Sequence, residues 1–136
     1  MTPMQRMAEH AASGQLALQR CLACGTMQYP PRELCAACLA DSLDWSVTES
    51  EEGEVLADTT LHHSHEPAFR EALPMRIGLV RLDVGPAVVC FLDAGCAAGT
   101  RVQITARSDD RGRAVLTATP IAPADRLRAT AAAPPR

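Results

Sequence analysis

The sequence predicts a mainly β protein, with a short N-terminal helix, a module of paired cysteines and then a small barrel of five strands. Three observations predict this class. Apolar residues repeat at helical spacing near the N-terminus, cysteines recur in two Cys-x2-Cys pairs, and short alternating segments separated by turn residues fill the second half. With 136 residues, the chain is long enough for one ordinary domain, or for two very small ones that share a core.

The first segment, residues 1–14, is predicted to be a helix over residues 2–13. Thr2 can cap this helix and Pro3 suits its first turn. Methionine and alanine side chains then recur on one face. Gly14 is a residue type that ends helices.

The second segment, residues 15–48, is the cysteine module. An alternating strand runs into its first cysteine, and residues 43–47 also alternate and are predicted to pair with that strand. The two pairs, separated by ten residues, are Cys21, Cys24, Cys35 and Cys38. Gly25 directly after the first pair fits the left-handed residue that such a tight turn requires.

These four cysteines are predicted to bind one metal ion. Two tight turns can complete a tetrahedron of thiolates, which suits a structural zinc ion and leaves no open position for catalysis. In a reducing cytosol, closely paired cysteines are more often metal ligands than disulfides. Iron in a rubredoxin-like site remains an alternative because it takes the same ligands. We favour zinc, since no flavin-binding or electron-carrier motif accompanies the cysteines.

Residues 49–120 have the pattern of a β-barrel. Strands are predicted at residues 54–62, 77–83, 87–92, 101–106 and 113–119, with a proline-containing loop at 64–74. Five short strands at hairpin-like spacing favour a small closed or nearly closed barrel. Residues 121–136 are mostly alanine, proline and arginine with little to bury, which predicts a disordered tail.

Composition disfavours several classes of protein. A net charge of −3 and only two Phe, one Tyr and one Trp argue against a nucleic-acid surface, which needs clustered positive charge and stacking aromatics. No apolar run approaches the roughly 20 residues of a membrane span. Because the N-terminus also lacks the apolar block of a secretory signal, we expect a cytoplasmic protein without a membrane partner.

Three histidines raise the question of a second site. His62, His63 and His65, with Glu66, could bind a metal or move protons. We favour the alternative of an exposed polar loop between strands, because so short a cluster is a weak motif. No serine nucleophile motif, phosphate-binding glycine loop or paired catalytic carboxylates are evident.

The two remaining cysteines have a different setting from the four paired ones. Cys90 lies within an apolar strand and Cys96 in a Gly/Ala loop. Neither has the flanking charges that mark a reactive thiolate. Both are therefore predicted to be buried structural thiols.

Sequence motifs along the chain resemble the domain-of-unknown-function 35 family of zinc-ribbon plus OB-fold proteins. The resemblance covers about residues 14–120. The matching pieces are the run from Leu16 to Cys38 with Gln28-Tyr29-Pro30-Pro31-Arg32 between its cysteine pairs, then Leu43 and Trp45, Gly53, Leu79 to Gly85, and Gly99 with Val102. Leu39 and Ala40 stand where members usually carry glycine and serine, and Met75 stands where an aromatic is common.

This resemblance implies an OB-fold barrel and an accessory role. Family members are typically encoded with thiolase-like or ketoacyl-synthase-like proteins and form complexes with them, and these partners act on acyl-CoA thioesters. The resemblance therefore implies a non-catalytic subunit that binds such a partner and whose barrel helps to build the acyl-CoA site. The alternatives are a single-stranded nucleic-acid-binding module and an iron-binding electron carrier.

Tyr29 and Arg32 flank the two prolines between the cysteine pairs. In a functional interpretation, this rigid loop presents both side chains to a partner or to a CoA phosphate, which an arginine fork fits well. In a structural interpretation, the prolines fix the path of the loop and Tyr29 packs on Trp45. The structural interpretation is favoured for Tyr29, and both stay open for Arg32.

Overall fold

The computed structural model describes residues 1–65, 67–71 and 73–121. Its elements are, in chain order, α1 (Pro3–Ala12), β1 (Leu16–Cys21), β2 (Met27–Gln28), β3 (Leu43–Thr48), β4 (Glu51–Leu61), α2 (Pro67–Arg70), β5 (Met75–Leu82), β6 (Ala87–Leu92), β7 (Arg101–Ser108) and β8 (Ala114–Pro120). The fold is mainly β, as predicted. Neither helix in the described ranges is long and apolar enough to cross a membrane.

Helix α1 confirms the prediction for the N-terminus. The backbone N–H of Gln5 donates to Oγ1 of Thr2 at 3.1 Å, and the N–H of Thr2 donates to Oε1 of Gln5 at 2.7 Å. This reciprocal capping box satisfies two N–H groups that the first turn leaves without helical partners. Pro3 occupies the start of the helix, and Gly14 follows its end with a φ of +74°.

The cysteine module is built on a three-stranded antiparallel sheet in the order β2-β1-β3. Strand β3 pairs with β1 along its whole length, from Leu16 opposite Thr48 to Cys21 opposite Leu43. The predicted pairing of residues 43–47 with the strand before the first cysteine is therefore confirmed. The short strand β2 adds Gln28 opposite Gln19 on the other edge.

The other five strands form the predicted closed barrel, in the order β4-β5-β6-β8-β7. Two strands begin earlier than the alternation predicts, because the first residues of each pair with a neighbouring strand. Strand β4 begins at Glu51, which pairs with Ile104 of β7, and β5 begins at Met75, which pairs with Leu61 of β4. The predicted loop at 64–74 contains the single turn of α2.

Strand β8 closes the barrel by pairing with two neighbours. It runs antiparallel to β7 over its whole length and parallel to β6 at only two positions, Phe91 opposite Thr117 and Leu92 opposite Ala118. The hydrogen bonding continues one residue further, since the N–H of Ile121 donates to the carbonyl of Arg101 at 3.0 Å. Disorder was thus wrongly predicted for Ile121, and the rest of the predicted tail lies outside the described residues.

One hydrophobic core joins the cysteine module to the barrel. Met7 and Ala11 of α1 and Leu16 and Leu18 of β1 are buried together with barrel side chains. The barrel contributes Val55, Val80, Leu82, Val88, Cys90, Leu92, Cys96, Val102, Ile104, Ala106, Leu116 and Ala118. The metal-binding half and the barrel are therefore packed as one unit, with α1 between them.

Candidate metal centre

The first cysteine pair lies in a tight turn at the end of β1. The N–H of Gly25 donates to the carbonyl of Cys21 at 2.8 Å, and the N–H of Cys21 donates to the carbonyl of Thr26 at 2.9 Å. Gly25 has a φ of +80°, a conformation that costs glycine almost nothing. The expectation of a left-handed residue directly after Cys24 is confirmed.

The second pair lies in a turn with the same hydrogen bonds. The N–H of Leu39 donates to the carbonyl of Cys35 at 2.9 Å, and the N–H of Cys35 donates to the carbonyl of Ala40 at 2.8 Å. Leu39 takes the place that Gly25 has in the first turn, with a φ of +65°. A leucine rarely adopts this conformation, so the second turn retains the geometry of the first at the expense of local strain.

The two turns bring all four sulfur atoms together. Each lies within 4.8 Å of the others, and the Sγ–Sγ distances are 3.6 Å for Cys21–Cys38 and 3.6 Å for Cys24–Cys35. A tetrahedron with metal–sulfur bonds of about 2.3 Å has edges of about 3.8 Å. Disulfide sulfurs lie about 2.05 Å apart, and all four cysteines are free. The arrangement is that of a four-thiolate metal site.

The thiols of this cluster have pKa values that are displaced in opposite directions. The pKa of Cys24 is lowered to about 6, first by the side-chain hydrogen bond with Thr26, whose Oγ1 lies 3.1 Å from Sγ, and then by a backbone bond with Thr26. The pKa of Cys38 is raised to about 12: a backbone bond with Ala40 favours its thiolate, but the thiols beside it, Cys21 first, and burial outweigh that bond. Thiols this close share their protons. A divalent cation that bound the four sulfur atoms would displace those protons.

Two buried glutamines hold the loop between the turns. The side-chain amide of Gln19 donates to the Arg32 carbonyl at 2.8 Å and accepts from the Arg32 N–H at 2.7 Å. Gln28 donates to Oε1 of Gln19 at 2.8 Å and accepts from the N–H of Ala36 at 2.8 Å. Sequence reasoning did not single out this network. The one feature of the sequence that could have indicated it is Gln19, a long polar residue next to the apolar part of a strand.

The loop separates the environments of Tyr29 and Arg32. Tyr29 lies against the barrel, where it lines a cavity with Cys90, and burial raises the pKa of its phenol, with a smaller contribution from Cys90. The ring of Trp45 lies near that of His10, with centroids 6.1 Å apart and the two planes tilted by 45°. The Arg32 side chain is exposed, although its backbone is fixed by Gln19.

The histidines of the described ranges belong to no group of three or more side chains that could share a metal ion. Among the described residues, the four cysteines are the only group of three or more His, Cys, Asp or Glu side chains close enough to share a metal ion. His63 and His65 line a shallow cavity of about 370 Å3 with Ser64, Arg70 and Leu73. His62 is exposed, and Glu66 lies outside the described residues.

The two unpaired cysteines are buried, as predicted. Cys90 and Cys96 have exposed fractions of 4% and 1%. Burial raises the pKa of Cys90 to about 12, and it also raises the pKa of Cys96. Because thiols react as thiolates, neither is set up as a nucleophile.

Comparison with known proteins agrees with this architecture. Residues 8–44 match the family model described as "ChsH2, rubredoxin-like zinc ribbon domain", and residues 46–107 match "ChsH2, C-terminal OB-fold domain". A curated relative from Thermomonospora curvata, the "Probable enoyl-CoA hydratase alpha subunit", is 37% identical over 85 residues, or 62% of this chain. That match spans only 25% of the relative's own length.

A solved structure resembles nearly the whole chain. It is a chain of the "Ltp2-ChsH2(DUF35) aldolase", with a TM-score of 0.67 and 26% sequence identity, covering 86% of this chain and 91% of the other. The two family models, the structural match and the four converging sulfurs agree with the resemblance in the sequence. The chain therefore belongs to the domain-of-unknown-function 35 family, in which a ChsH2-type zinc ribbon is followed by an OB-fold barrel.

Proposed function

We propose that this protein is an accessory subunit, without catalytic residues of its own, that binds a thiolase-like or ketoacyl-synthase-like enzyme acting on acyl-CoA. The observation that carries the proposal is the match to a chain of the Ltp2-ChsH2(DUF35) aldolase, whose name joins two components. The match covers 86% of this chain and 91% of the other, so it extends over both the ribbon and the barrel rather than over a short motif. We place the complex in the cytoplasm and assign the zinc ribbon to residues 15–48 and the barrel to 49–120.

The chemistry of the described residues supports a role without catalysis. A metal held by Cys21, Cys24, Cys35 and Cys38 has four protein ligands, so no position is open for substrate or water. The thiols of Cys90 and Cys96 are buried with raised pKa values, which disfavours nucleophilic attack. The match to the relative named as a hydratase subunit spans only 25% of that relative's length, so it does not assign the relative's activity to this chain.

We assign the metal as zinc with a structural role. Four thiolates at tetrahedral spacing suit zinc and iron alike. The family model that matches the cysteine module is that of a zinc ribbon, which favours zinc. Iron in four thiolates is coloured and zinc is not, so a red purified protein would support the electron-carrier alternative. Metal analysis of the colourless protein should then give about one zinc ion per chain.

Within this role, Arg32 and Tyr29 are candidate contacts for the partner or for CoA. The Gln19 amide fixes the backbone of Arg32 while its guanidinium group remains exposed, so the charge is presented from a rigid loop. A guanidinium group fits carboxylates and phosphates through two parallel hydrogen bonds. We expect Arg32→Ala to weaken partner binding or CoA affinity, whereas Arg20→Ala, an exposed arginine on β1, should change neither.

Co-purification tests the proposal directly. The full chain is co-expressed with a thiolase-like protein from the same genome, and the partner's recovery, solubility and acyl-CoA turnover are measured with and without it. We expect a stable complex and a gain in soluble, active partner. The proposal fails if the chain neither binds such a protein nor changes its activity, or if the chain alone hydrates an enoyl-CoA.

A further inference from the structure

Strand β3 is an edge of the three-stranded ribbon sheet. The strands of that sheet lie in the order β2-β1-β3, and among the described residues β3 pairs with β1 alone. It is six residues long, from Leu43 to Thr48. An edge strand presents backbone N–H and C=O groups that have no partner in its own sheet. The edge of β3 is therefore a position at which another strand can join this sheet.

The pairing of β1 with β3 determines which backbone groups point out of this edge. In an antiparallel pair, opposite residues alternate between pairs that exchange hydrogen bonds and pairs that do not. The N–H of Leu22 donates to the carbonyl of Ser42 at 2.8 Å, so hydrogen-bonded pairs recur at every second position along the register from there. The positions between them face away from β1. The outward groups are thus the N–H and C=O of Leu43, Trp45 and Val47.

Two of the three outward N–H groups have local acceptors. The N–H of Leu43 donates to the carbonyl of Asp41 at 2.9 Å, and the N–H of Trp45 donates to Oδ1 of Asp44 at 2.8 Å. The N–H of Val47 has no hydrogen-bond partner among the described residues, and the Val47 side chain is 39% exposed. Because the bond from Trp45 to Asp44 is exposed, the carbonyl of an incoming strand can replace the carboxylate. The edge therefore offers both donors and acceptors to an extended backbone.

Acidic side chains lie along the edge. Asp41 precedes β3, Asp44 lies near its beginning and Glu49 follows its end, and all three are exposed. Arg20 lies opposite Asp44, but on β1, so it is one strand away from the edge. A second copy of this chain that paired through β3 would bring the acidic edges together, and like charges that face each other destabilise a strand pair. The charge therefore favours a basic strand from a different protein.

The two faces of β3 differ in character. Trp45 and Val47 lie on one face and Asp44 lies on the other, because successive side chains of a strand alternate. Residues that are directly opposite in paired strands share a face and contact each other. A complementary strand would therefore carry apolar residues opposite Trp45 and Val47, and arginine or lysine on the face of Asp44. The expected pattern is an alternation of apolar and basic residues.

We propose that the open edge of β3 is the docking site for an extended segment of the partner enzyme, with alternating apolar and basic residues, which joins the ribbon sheet as a fourth strand. In contacts of this kind, main-chain hydrogen bonds supply the affinity and alternate side chains supply the specificity. The inference rests on the proposed function for the identity of the partner, and it deepens that function by naming the contact. Strand β3 begins opposite Cys21, so the edge starts beside the metal centre.

Val47→Pro tests this edge in the complex. Proline has no N–H, and an edge strand tolerates it where the missing N–H would face outward, so the variant should fold and keep its metal. We expect its affinity for the co-purified thiolase-like protein to fall at least roughly tenfold, because the new strand loses a main-chain bond and meets the proline ring. Val47→Thr keeps the N–H and the branched side chain, and this control should bind like the unaltered chain. Undiminished affinity in Val47→Pro would overturn the inference and leave the proposed function intact.

Amide hydrogen exchange of the unaltered complex is a second measurement that requires no variant. Exchange at Trp45 and Val47 should slow at least roughly tenfold when the partner binds, because strand addition gives both N–H groups a carbonyl acceptor. Ser46 is the internal control, since its N–H faces β1 and should change less. If the complex forms and exchange at Val47 is unchanged, the partner docks elsewhere and the inference is wrong.

A peptide probe separates the edge from the identity of the enzyme. The metal-bound full chain is titrated with an eight-residue peptide of alternating valine and arginine, and the amide signal of Val47 is followed by nuclear magnetic resonance. The control peptide has an N-methyl group at each valine, the residues expected opposite Trp45 and Val47, and should bind at least roughly tenfold more weakly because it cannot donate those hydrogen bonds. Equal binding of the two peptides would mean that charge attraction alone is responsible, and would contradict strand addition.

The outcomes distinguish the possible occupants of the edge. Binding of the unmethylated peptide at Val47, when no thiolase-like protein co-purifies, would support the edge and contradict the proposed function. Sedimentation of the chain alone tests for a second copy. A dimer that Val47→Pro dissociates would identify the second copy as the occupant and overturn the inference.

Discussion

The zinc ribbon and the barrel of this protein are stabilised by different means. The barrel encloses aliphatic side chains with no exposed surface, among them Val80, Val88 and Ile104. In the ribbon, Leu16 and Leu18 join that core, but beyond them two glutamine amides are buried, and Leu22 and Leu39 remain largely exposed. The barrel therefore depends on apolar burial, whereas the ribbon beyond β1 depends on its sulfur cluster and on a polar network. Small units that cannot build a sufficient hydrophobic core commonly need a metal site or another cross-link.

The largest difference between ribbon and barrel is expected when one of the four sulfur ligands is removed. Cys21→Ser should reduce the metal content from about one ion per chain to near zero, because the remaining three thiolates do not close the tetrahedron. Partner binding should be lost with it, while the barrel remains partly folded. Elemental analysis, circular dichroism and co-purification measure these three effects.

Cys90→Ser is the matched control for that change. It makes the same chemical replacement in the barrel core, where Cys90 is buried and its Sγ lies 3.9 Å from the Gly78 carbonyl. We expect this variant to keep its metal at a modest cost in stability. If Cys21→Ser kept full metal content, the assignment of four ligands would be wrong.

A cavity in the barrel core should lower the stability of the protein without loss of the metal. Ile104→Ala removes a completely buried side chain, and the free energy of unfolding should fall by about 2–5 kcal/mol. The folded variant should keep its metal, because β7 contributes nothing to the sulfur cluster. Urea unfolding with metal analysis measures both quantities, and Leu56→Ala, 39% exposed on β4, is the control. A folded but metal-free Ile104→Ala protein would show that the ribbon depends on the barrel core for its metal.

The polar network of the ribbon should have an intermediate effect. Gln19→Leu keeps the size of the side chain but leaves the N–H and carbonyl of Arg32 without their partner, and Gln28 loses an acceptor. Burying unsatisfied polar groups costs about 1–3 kcal/mol. Gln103→Leu removes an exposed bond to Ser50 and should cost less than about 0.5 kcal/mol. Equal effects of the two changes in chemical denaturation would contradict a structural role for the network.

The sequence predicts what depends on local patterns. Strand alternation predicts the barrel, and Cys-x2-Cys spacing predicts the sulfur cluster, because both patterns are read within a few residues. The amide network was missed because it depends on the register that places Gln19 opposite Gln28, which alternation does not specify. The divergence of β6 from β8 was missed for a related reason. These strands pair only at Phe91–Thr117 and Leu92–Ala118, and this follows from closure of the whole barrel.

Leu39 gives the smallest effect and the sharpest test of the ribbon's geometry. Its φ of +65° disfavours a side chain by about 1–2 kcal/mol, and the side chain is 71% exposed, so little packing would be lost with it. Leu39→Gly should therefore stabilise the ribbon by up to about 1 kcal/mol, since glycine's greater freedom in the unfolded chain offsets part of the gain. Gly25→Leu, the reverse change in the first turn, should destabilise it by a similar or larger amount. The thermal midpoint of the metal-bound protein measures both, with Leu34→Gly as a control that relieves no left-handed strain and should destabilise.

Gly25 and Leu39 have the same position in two turns with the same hydrogen bonds. If those turns are equivalent, the stability changes of Leu39→Gly and Gly25→Leu must have opposite signs. A loss of stability in Leu39→Gly would mean instead that the exposed leucine makes a stabilising contact of its own, and the two turns would then not be interchangeable.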